Sequence, residues 1–290
     1  MENCEVLKAG ISRLKEGKPL ELVCIVSSNG STPRAEGAFM LLAKDGWNVG
    51  TVGGGKMEYL AGQEAMELLA KKAGGERRYI LSKNDLADIG AVCGGDVQIQ
   101  YEFLEGESGV HRLEEIENAL EKERPTVYLF GGGHVSVSVS NALSCVSFNT
   151  VVYDDREEFA NSARFPQAIS VICAPYEKMS EHVRLTESDY VLIMTRGHLC
   201  DYEVQKQVMR TPACYIGVIG SRSKIHHVTQ KLLADGFSQQ DIARCHTPVG
   251  IPIGAETPEE IAVSIAAELI LERARREGRR KVIKNEIVSY

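Results

Sequence analysis

The chain has 290 residues, of which 43% are hydrophobic and 25% are charged, and its formal net charge is −7. This composition is typical of a globular protein, and the length favours two domains over one. An acidic balance argues against general binding to nucleic acid or to an acidic membrane surface, because affinity for phosphate comes mainly from excess lysine and arginine.

The chain also lacks the marks of export, of a membrane span and of a disulfide framework. Residues 1–10 do not have the basic-then-apolar order of a signal peptide, and no uncharged run approaches the roughly 18 residues of a membrane span. We therefore expect a cytoplasmic protein. Its eight cysteines are scattered without a C-x-x-C pair, which is typical of small hydrophobic residues in a reducing compartment. The sequence predicts neither disulfides nor a metal site.

The first part of the chain mixes one helical pattern with short β runs. The helical pattern covers residues 4–15, and β runs follow at residues 20–27, 38–42 and 49–52. The polar loop between the first two β runs contains Arg34, whose planar guanidinium suits a phosphate or a carboxylate. A solvated arginine on a surface hairpin is the open alternative.

A triple glycine, Gly53, Gly54 and Gly55, leads into a predicted helix that carries Glu58 in its first turn. Backbone N–H groups at such a helix start can cradle an anion. A tight corner between a strand and a helix also needs glycine, so a purely structural role stays open.

Cys93 stands beside Gly94 and Gly95, between β runs at residues 77–81 and 97–103. Flanking glycines leave the backbone amides around the sulfur exposed, which can lower the pKa of a thiol and let a ligand approach. Cys93 is therefore a candidate functional thiol. The alternative is a small residue that fills a gap between strands.

Residues 106–124 differ in composition from the segments on either side. They combine glycine and charge with one amphipathic helix over residues 111–123. This change predicts a linker between a smaller N-terminal α+β domain, residues 1–105, and a second domain, residues 125–290.

The second domain opens with the order of a βαβ nucleotide-binding unit. The β run Thr126–Phe130 stops at three glycines, and a helical segment of small residues follows. Gly131 allows a tight turn, Gly133 lets backbone N–H groups approach a pyrophosphate, and the helix start at His134 adds positive partial charge. The third glycine of the usual fingerprint is replaced by Ser136, which should hold the helix slightly farther from the strand. The pattern predicts a Rossmann-like doubly wound parallel sheet. The crevice at the ends of its strands could bind a dinucleotide, and a scaffold that binds none is the open alternative.

The next β run, residues 149–153, ends on Asp154 and Asp155. Asp154 lies roughly 20 residues beyond Gly131, where an acid at the tip of the second strand is placed to hydrogen-bond a ribose diol. We therefore expect the Asp154 carboxylate to face the ligand.

Three further apolar runs, residues 169–173, 190–194 and 215–219, are typical of parallel strands that are covered on both faces. Polar residues follow the last two runs: Thr195 and His198 after one, Ser221 and Arg222 after the other. Ligands of open α/β sheets lie outside the carboxyl ends of the strands, so these residues are expected at the same crevice as the glycine turn. His198 is a candidate general base or hydrogen-bond partner of a ligand.

The last predicted element is a helix from Pro258 to Arg276. Thr257 is suited to the N-cap, Pro258 to the first turn and Glu260 to a capping box. These neighbouring residues therefore specify both that the segment is helical and where the helix begins.

Nine motifs occur along the chain in a fixed order: GSTPRAEGAFML from Gly30, GTVGGGKME from Gly50, VCGG from Val92, LFGGGHV from Leu129, YDDREEFAN from Tyr153, RFP from Arg164, TRGH from Thr195, YIGVIGSR from Tyr215 and PVGIPIGAETPEEIAVSI from Pro248. In this order they resemble the XdhC/CoxI family of xanthine dehydrogenase accessory proteins. The match spans nearly the whole chain, and nine ordered motifs are far more specific than one glycine loop.

The resemblance implies a chaperone rather than a redox enzyme. Such a protein would bind molybdenum cofactor, assist its sulfuration by a cysteine desulfurase-type sulfurtransferase, and deliver it to a molybdenum hydroxylase. The expected cofactor is molybdopterin, with or without its nucleotide, and the expected oligomer is a homodimer. The candidate cofactor-binding residues are Arg34, Gly53, Gly54, Gly55, Glu58, Gly94, Gly95, Gly131, Gly133, His134, Asp154, Asp155, Thr195, Ser221 and Arg222, and the candidate catalytic residues are Cys93 and His198.

Two other functions fit parts of the pattern. An NAD(P)-dependent oxidoreductase could use His198 near a nicotinamide, and a regulatory module could sense a nucleotide without chemistry. The first needs a Lys/Tyr/Asp proton-transfer set after the dinucleotide unit, which the chain lacks, and the additional domain precedes that unit. The sequence therefore favours the chaperone.

Overall fold

The computed structural model describes residues 3–30, 34, 36–81 and 95–278. The chain divides into two compact units, Met1–Glu123 and Arg124–Tyr290. Among the residues described, no helix combines the length and the apolar character that a membrane span requires.

The first unit is an α+β domain. Its described elements, in chain order, are α1 (Asn3–Lys15), β1 (Leu20–Gly30), β2 (Phe39–Ala43), β3 (Asn48–Gly50), α2 (Gly55–Lys71), β4 (Gly75–Leu81), β5 (Gly95–Leu104) and α3 (Gly106–Glu123). The five strands form one antiparallel sheet in the order β3-β2-β1-β5-β4. Residues of α1 and α3 pack on one face of the sheet, and residues of α2 pack on the other, so both faces are covered.

The segment that we predicted as a linker is a packed helix of the first unit. Helix α3 covers Gly106–Glu123, and it buries Gly109, Val110 and Leu113. A Cβ atom at Gly109 would lie 3.2 Å from the Leu104 side chain, so this glycine serves a close approach and not flexibility. The many charges of the helix lie on its outer side and obscured its narrow apolar stripe.

The second unit is a doubly wound α/β domain, as the sequence predicted. Its elements are β6 (Thr126–Phe130), α4 (His134–Ser144), β7 (Asn149–Asp154), β8 (Ser170–Cys173), α5 (Met179–His182), β9 (Tyr190–Ile193), α6 (His198–Val208), β10 (Tyr215–Val218), α7 (Arg222–Ala234), α8 (Gln239–Ala243), β11 (Cys245–His246) and α9 (Pro258–Arg276). All strand pairs in its sheet are parallel, and the order is β11-β10-β9-β6-β7-β8. This is the strand order of the Rossmann fold, whose two halves meet between β6 and β9.

Apolar side chains cover both faces of this sheet. Helices α4 and α9 contribute to the core on one face, and α6 and α7 contribute to the core on the other. Helix α9 spans Pro258–Arg276, and Thr257 and Glu260 form the expected capping box. The predicted boundaries held here because local signals specify them.

Glu21 is an unusual residue in the first unit, because it is an acid inside the sheet. It lies in β1 opposite Leu42 and Phe103 and is 0% exposed. Neither carboxylate oxygen has a hydrogen-bond partner among the described residues. Burial, with the nearby Glu102 carboxylate as a smaller cause, raises the pKa of Glu21 to about 8.

We predict that Glu21→Gln stabilises the protein in a pH-dependent way. The unfolded chain ionises this group near 4.5, whereas the folded protein keeps the proton until about pH 8. Stability is therefore lost by the wild type as the pH rises through this window. Urea unfolding should show a gain of about 1–3 kcal/mol for the variant near pH 9 and almost none near pH 4. An equal gain at both pH values, or a similar gain for the control Glu102→Gln, would contradict this account.

Candidate functional site

The carboxyl ends of β6 and β9 lie side by side at the centre of the parallel sheet. We use the term crevice for the residues that follow β6, β7, β9 and β10 at this edge. Helices α4, α6 and α7 begin here, with Gly133, Gly197 and Ser221 as their N-caps. Each helix start leaves backbone N–H groups without an intrahelical acceptor and carries positive partial charge. The edge therefore favours an anionic ligand.

Gly131 holds the turn after β6 tightly between two neighbouring strands. Its N–H donates to the Tyr153 carbonyl at 2.8 Å, and the Met194 N–H donates to the Phe130 carbonyl at 2.8 Å. The φ angle of Gly131 is +113°, and a Cβ atom there would lie 2.3 Å from the Met194 carbonyl oxygen. Only glycine can occupy this position without a shift of the backbone.

The two glycines that follow differ in the space around them. A Cβ atom at Gly132 would lie 2.4 Å from the Phe159 carbonyl oxygen, so the β7–β8 loop closes on this residue. A Cβ atom at Gly133 would meet nothing within 4 Å in the described part of the chain. Gly133 is therefore the open position of the turn, where a ligand can approach the start of α4.

Asp154 stabilises the glycine turn by a hydrogen bond from its buried side. It is 0% exposed, and its carboxylate accepts hydrogen bonds from the Gly132 N–H at 2.8 Å and from the Arg156 Nε at 2.9 Å. Burial opposes ionisation, but the bonds from Arg156 and Gly132 prevail and lower the pKa of Asp154. This carboxylate faces its own chain, in contrast to our expectation of a ribose contact, because Arg156 and the turn already use both oxygens.

The described residues of the crevice include four cationic side chains and three buried or partly buried acidic ones, and the exposed Glu157 and Glu158 are further acids of the β7–β8 loop. Three cations are paired: Arg156 with Asp154, Arg196 with Asp155, and Lys224 with Asp201. The fourth, Arg164, donates from Nη2 to the Gly132 carbonyl at 3.2 Å and has no carboxylate partner in the described part of the chain. The side chain of Arg222 lies outside the described atoms. One positive charge beside the glycine turn thus lacks a described counter-charge.

Thr195 and Asp201 organise the loop after β9. Both are buried; Asp201 accepts from the Thr195 N–H at 3.2 Å and from its hydroxyl, and it forms an ion pair with the Lys224 ammonium. Burial raises the pKa of Asp201, although Lys224 and Thr195 oppose it. Thr195 was a predicted cofactor ligand, but its hydroxyl is occupied inside the loop.

The predicted polar residues at the helix starts are exposed. His134 begins α4, and His198 begins α6 with its ring 5.1 Å from His227 and perpendicular to it. A general base is usually oriented by a hydrogen bond, which an edge-on ring contact does not supply. The catalytic role of His198 stays a prediction. Ser221 caps α7 by accepting from the Lys224 N–H at 3.3 Å.

The sequence analysis missed several residues of the crevice. Among the buried side-chain atoms of this unit that have no hydrogen-bond partner in the described structure are Ser136 Oγ, Asp155 Oδ1, Arg164 Nε and Tyr176 Oη, and Arg156 Nε lies 3.7 Å from Asp155 Oδ1. Buried polar atoms are rarely left unpaired, so each of these atoms is a candidate for a contact that a ligand supplies. Arg164 and Arg196 lie in the RFP and TRGH motifs, which was the available signal.

The glycine turn of the first unit is occupied by its own chain. Glu58 Oε2 accepts from the Val52 N–H at 3.1 Å, from the Gly54 N–H at 3.0 Å and from the Thr51 hydroxyl. Burial opposes ionisation, but these hydrogen bonds lower the pKa of Glu58. The predicted anion cradle at Gly53–Gly55 therefore already contains a carboxylate.

The other predicted ligands of the first unit are only partly described. Arg34 is exposed, Gly95 opens β5 opposite Gly30, and Cys93 and Gly94 lie outside the described residues. A cavity of about 780 Å³ lies between α2 and the β2–β3 hairpin, with Glu58 in its lining. Elsewhere in this unit, ligand atoms of Cys4, Glu117 and Glu121 lie within 4.8 Å of one another, a group that the sequence analysis did not foresee.

Substitution of Gly131 should destabilise the second unit, and substitution of Gly133 should not. Gly131→Ala forces its Cβ against the Met194 carbonyl, so we expect a loss of about 2–4 kcal/mol in urea unfolding. Gly133→Ala is the matched control, with φ at −69° and open space around it, and it should change stability by less than about 0.5 kcal/mol. Equal effects of the two variants would contradict the locked turn.

Asp154→Asn should act through stability as well. The variant removes one charged acceptor from the Arg156 guanidinium and the Gly132 N–H, which should cost about 1–3 kcal/mol. Because the pKa of Asp154 is lowered, the wild-type advantage is present at neutral pH and disappears as the pH falls through the folded-state pKa. Unfolding curves at several pH values measure this, and a difference that is independent of pH would argue against it.

Two protein-family models match the chain. One, described as the XdhC Rossmann domain, matches residues 127–269, and the other, described as the XdhC and CoxI family, matches residues 13–80. The crystal structure of a xanthine dehydrogenase from Bacillus halodurans covers 97% of this chain and 98% of its own, with a TM-score of 0.75 and 23% identity. That likeness supports the fold.

Three relatives share sequence with this chain. "Uncharacterized protein YqeB" of Escherichia coli (strain K12) is 31% identical over 253 residues, which are 87% of this chain and 43% of the relative. A probable xanthine dehydrogenase subunit of Bacillus subtilis (strain 168) is 32% identical over 152 residues, 52% of this chain and 44% of the relative. "Molybdenum cofactor insertion chaperone PaoD" of Escherichia coli (strain K12) is 23% identical over 287 residues, 94% of this chain and 89% of the relative. The chain spans less than half the length of the first two.

Proposed function

Because this chain belongs to the XdhC and CoxI family, we propose that it binds molybdenum cofactor and inserts it into a xanthine dehydrogenase-type molybdenum hydroxylase. The relative named as a molybdenum cofactor insertion chaperone aligns over nearly the whole of both chains, which supports the insertion role. The relative named as part of a probable xanthine dehydrogenase supports the class of client.

The proposal rests on one observation: the crevice is suited to an anion, and Arg164 has no carboxylate partner there among the described residues. Arg164 lies beside the glycine turn without a carboxylate partner in the described part of the chain, and three helix starts add partial positive charge. The pterin of the cofactor carries a phosphate, which is the group that such an edge recognises. Four buried polar atoms without partners in the described structure suit a ligand that has several hydrogen-bonding groups.

In this proposal the cofactor is cargo, and the protein's residues bind, shield and release it. The N–H groups at Gly133 and in the first turn of α4 receive the phosphate, and Arg164 neutralises part of its charge. Gly131 and Asp154 keep the turn in its receptive shape. The molybdenum centre supplies redox chemistry only after transfer to the client.

Several finer expectations belong to the same proposal. We infer that a cysteine desulfurase-type sulfurtransferase sulfurates the bound cofactor and that the protein works in the cytoplasm as a homodimer. We also infer that Cys93 takes part in the transfer of the sulfurated cofactor and that the crevice accepts either a monophosphate or the diphosphate of a dinucleotide form. These points follow from the family resemblance and from the sequence.

The competing function is an NAD(P)-dependent oxidoreductase that uses the same crevice. Such an enzyme needs an accessible acid at the tip of the second strand for the ribose, but Asp154 is 0% exposed and bonded to Arg156. It also needs an oriented proton donor, whereas the ring of His198 lies edge-on against His227. The crevice therefore favours the chaperone.

The test is purification from a molybdenum-replete host followed by assays for molybdenum, pterin and phosphate in the protein. We expect all three in the wild type and about tenfold less pterin in Arg164→Ala, since a charge-assisted contact is lost. Arg210→Ala is the matched control, because Arg210 is an exposed arginine that packs on Phe237 away from the crevice. Steady NADH oxidation of about 1 per second or more with a small carbonyl substrate would contradict the proposal.

A further inference from the structure

Asp155 and Arg196 form an ion pair that bridges the two sides of the crevice. Asp155 follows β7, Arg196 follows β9, and β6 lies between these strands in the sheet. The Arg196 Nη2 donates to Asp155 Oδ2 at 2.8 Å. The pair therefore joins the loops on both sides of the strand that ends in the glycine turn.

The ion pair is poorly buried and incompletely satisfied. The side chain of Arg196 is 48% exposed and that of Asp155 is 21% exposed, and such pairs typically contribute only about 0–1 kcal/mol. Asp155 Oδ1 is buried without a hydrogen-bond partner among the described residues, and Arg156 Nε lies 3.7 Å from it while bonded to Asp154. An incoming anion therefore competes with a weak contact.

Tyr176 is a buried residue on which the charge of Asp155 acts. Its side chain is 2% exposed, and its hydroxyl is buried and without a hydrogen-bond partner in the described structure. Burial, and after it the charges of Asp154 and Asp155, raise the pKa of Tyr176.

Charge balance favours a change of partner for Arg196 when an anion binds in the crevice. In the free crevice, Asp155 cancels the charge of Arg196, and Arg164 is the cation that no described carboxylate balances. A phosphate carries up to two negative charges and is best bound by two cations, and a planar guanidinium matches its oxygens. Release of Arg196 from Asp155 supplies the second cation.

We propose that Arg196 is a phosphate ligand of the crevice which Asp155 holds in the free protein, and that binding of a phosphoryl or diphosphoryl group exchanges one partner for the other. The identity of that group as the phosphate of molybdenum cofactor rests on the proposed function. The exchange also serves release, because re-formation of the Asp155–Arg196 pair displaces the phosphate when a client takes the cofactor.

A double-mutant cycle with inorganic pyrophosphate as the probe tests the exchange by calorimetry at low salt. Arg196→Ala should weaken binding about tenfold, and Asp155→Asn should strengthen it about fivefold by freeing Arg196. In the Arg196→Ala background, Asp155→Asn should change the affinity less than about twofold, because no guanidinium remains to be freed. Arg196→Lys should recover part of the loss.

Matched variants and a thiol reporter separate the exchange from general electrostatics. Glu158→Gln removes an exposed acid from the same loop, and Arg210→Ala removes an exposed arginine elsewhere, so both should change affinity less than about twofold. Burial raises the pKa of the Cys200 thiol, and Arg196 opposes this rise. The alkylation rate of this thiol, followed by mass spectrometry, should change about threefold or more on pyrophosphate binding in the wild type and not in Arg196→Ala.

The proposal is overturned if Asp155→Asn gives the same gain with and without Arg196, since the acid would then act only as a repulsive charge. It is equally overturned if the folded wild type does not bind pyrophosphate, with folding verified by thermal unfolding. The cycle needs no molybdenum cofactor. An intact cycle in a protein that purifies without pterin would therefore remove the proposed function and leave the phosphate exchange standing.

Discussion

The crevice depends on one close backbone contact, between the turn after β6 and the end of β9. Gly131 makes this contact possible, because any side chain there would collide with the Met194 carbonyl. Asp154 stabilises this contact, because its carboxylate accepts a hydrogen bond from the Gly132 N–H on the buried side. The start of α4 takes its position from this turn, and so do the N–H groups that face the crevice. A structural constraint thus prepares the anion-binding edge.

The electrostatics of the crevice follow from pairing rather than from net charge. The chain as a whole is acidic at −7, yet three acids of the crevice are each paired with a cation, and Arg164 has no carboxylate partner among the described residues. Asp154 and Asp201 are buried and permanently engaged, whereas Asp155 is partly exposed and weakly engaged. Asp154 and Asp201 therefore stabilise the shape of the site, whereas Asp155 can release the cation that it pairs with.

The two glycine turns of the chain show that one motif can have opposite roles. Gly53–Gly55 and Gly131–Gly133 both lead from a strand into a helix. In the first unit, Glu58 folds back and uses the N–H groups of Val52 and Gly54. In the second, the helix begins with His134 and small residues, so no acid of its own first turn fills the cradle. The residues just after the glycines decide whether a ligand can enter.

Local patterns in the sequence were sufficient to predict most elements of the second unit and the family. Apolar runs, glycine turns and the Thr257–Glu260 capping box act over a few residues, so the strands of the second unit and helix α9 could be predicted closely. The linker prediction failed because composition does not show which face of α3 is packed. The roles of the crevice residues emerged only from the folded chain: Arg164 reaches a carbonyl 32 positions away, and Arg196 reaches an acid 41 positions away. Burial and pairing across such separations arise from packing, and no local pattern encodes them.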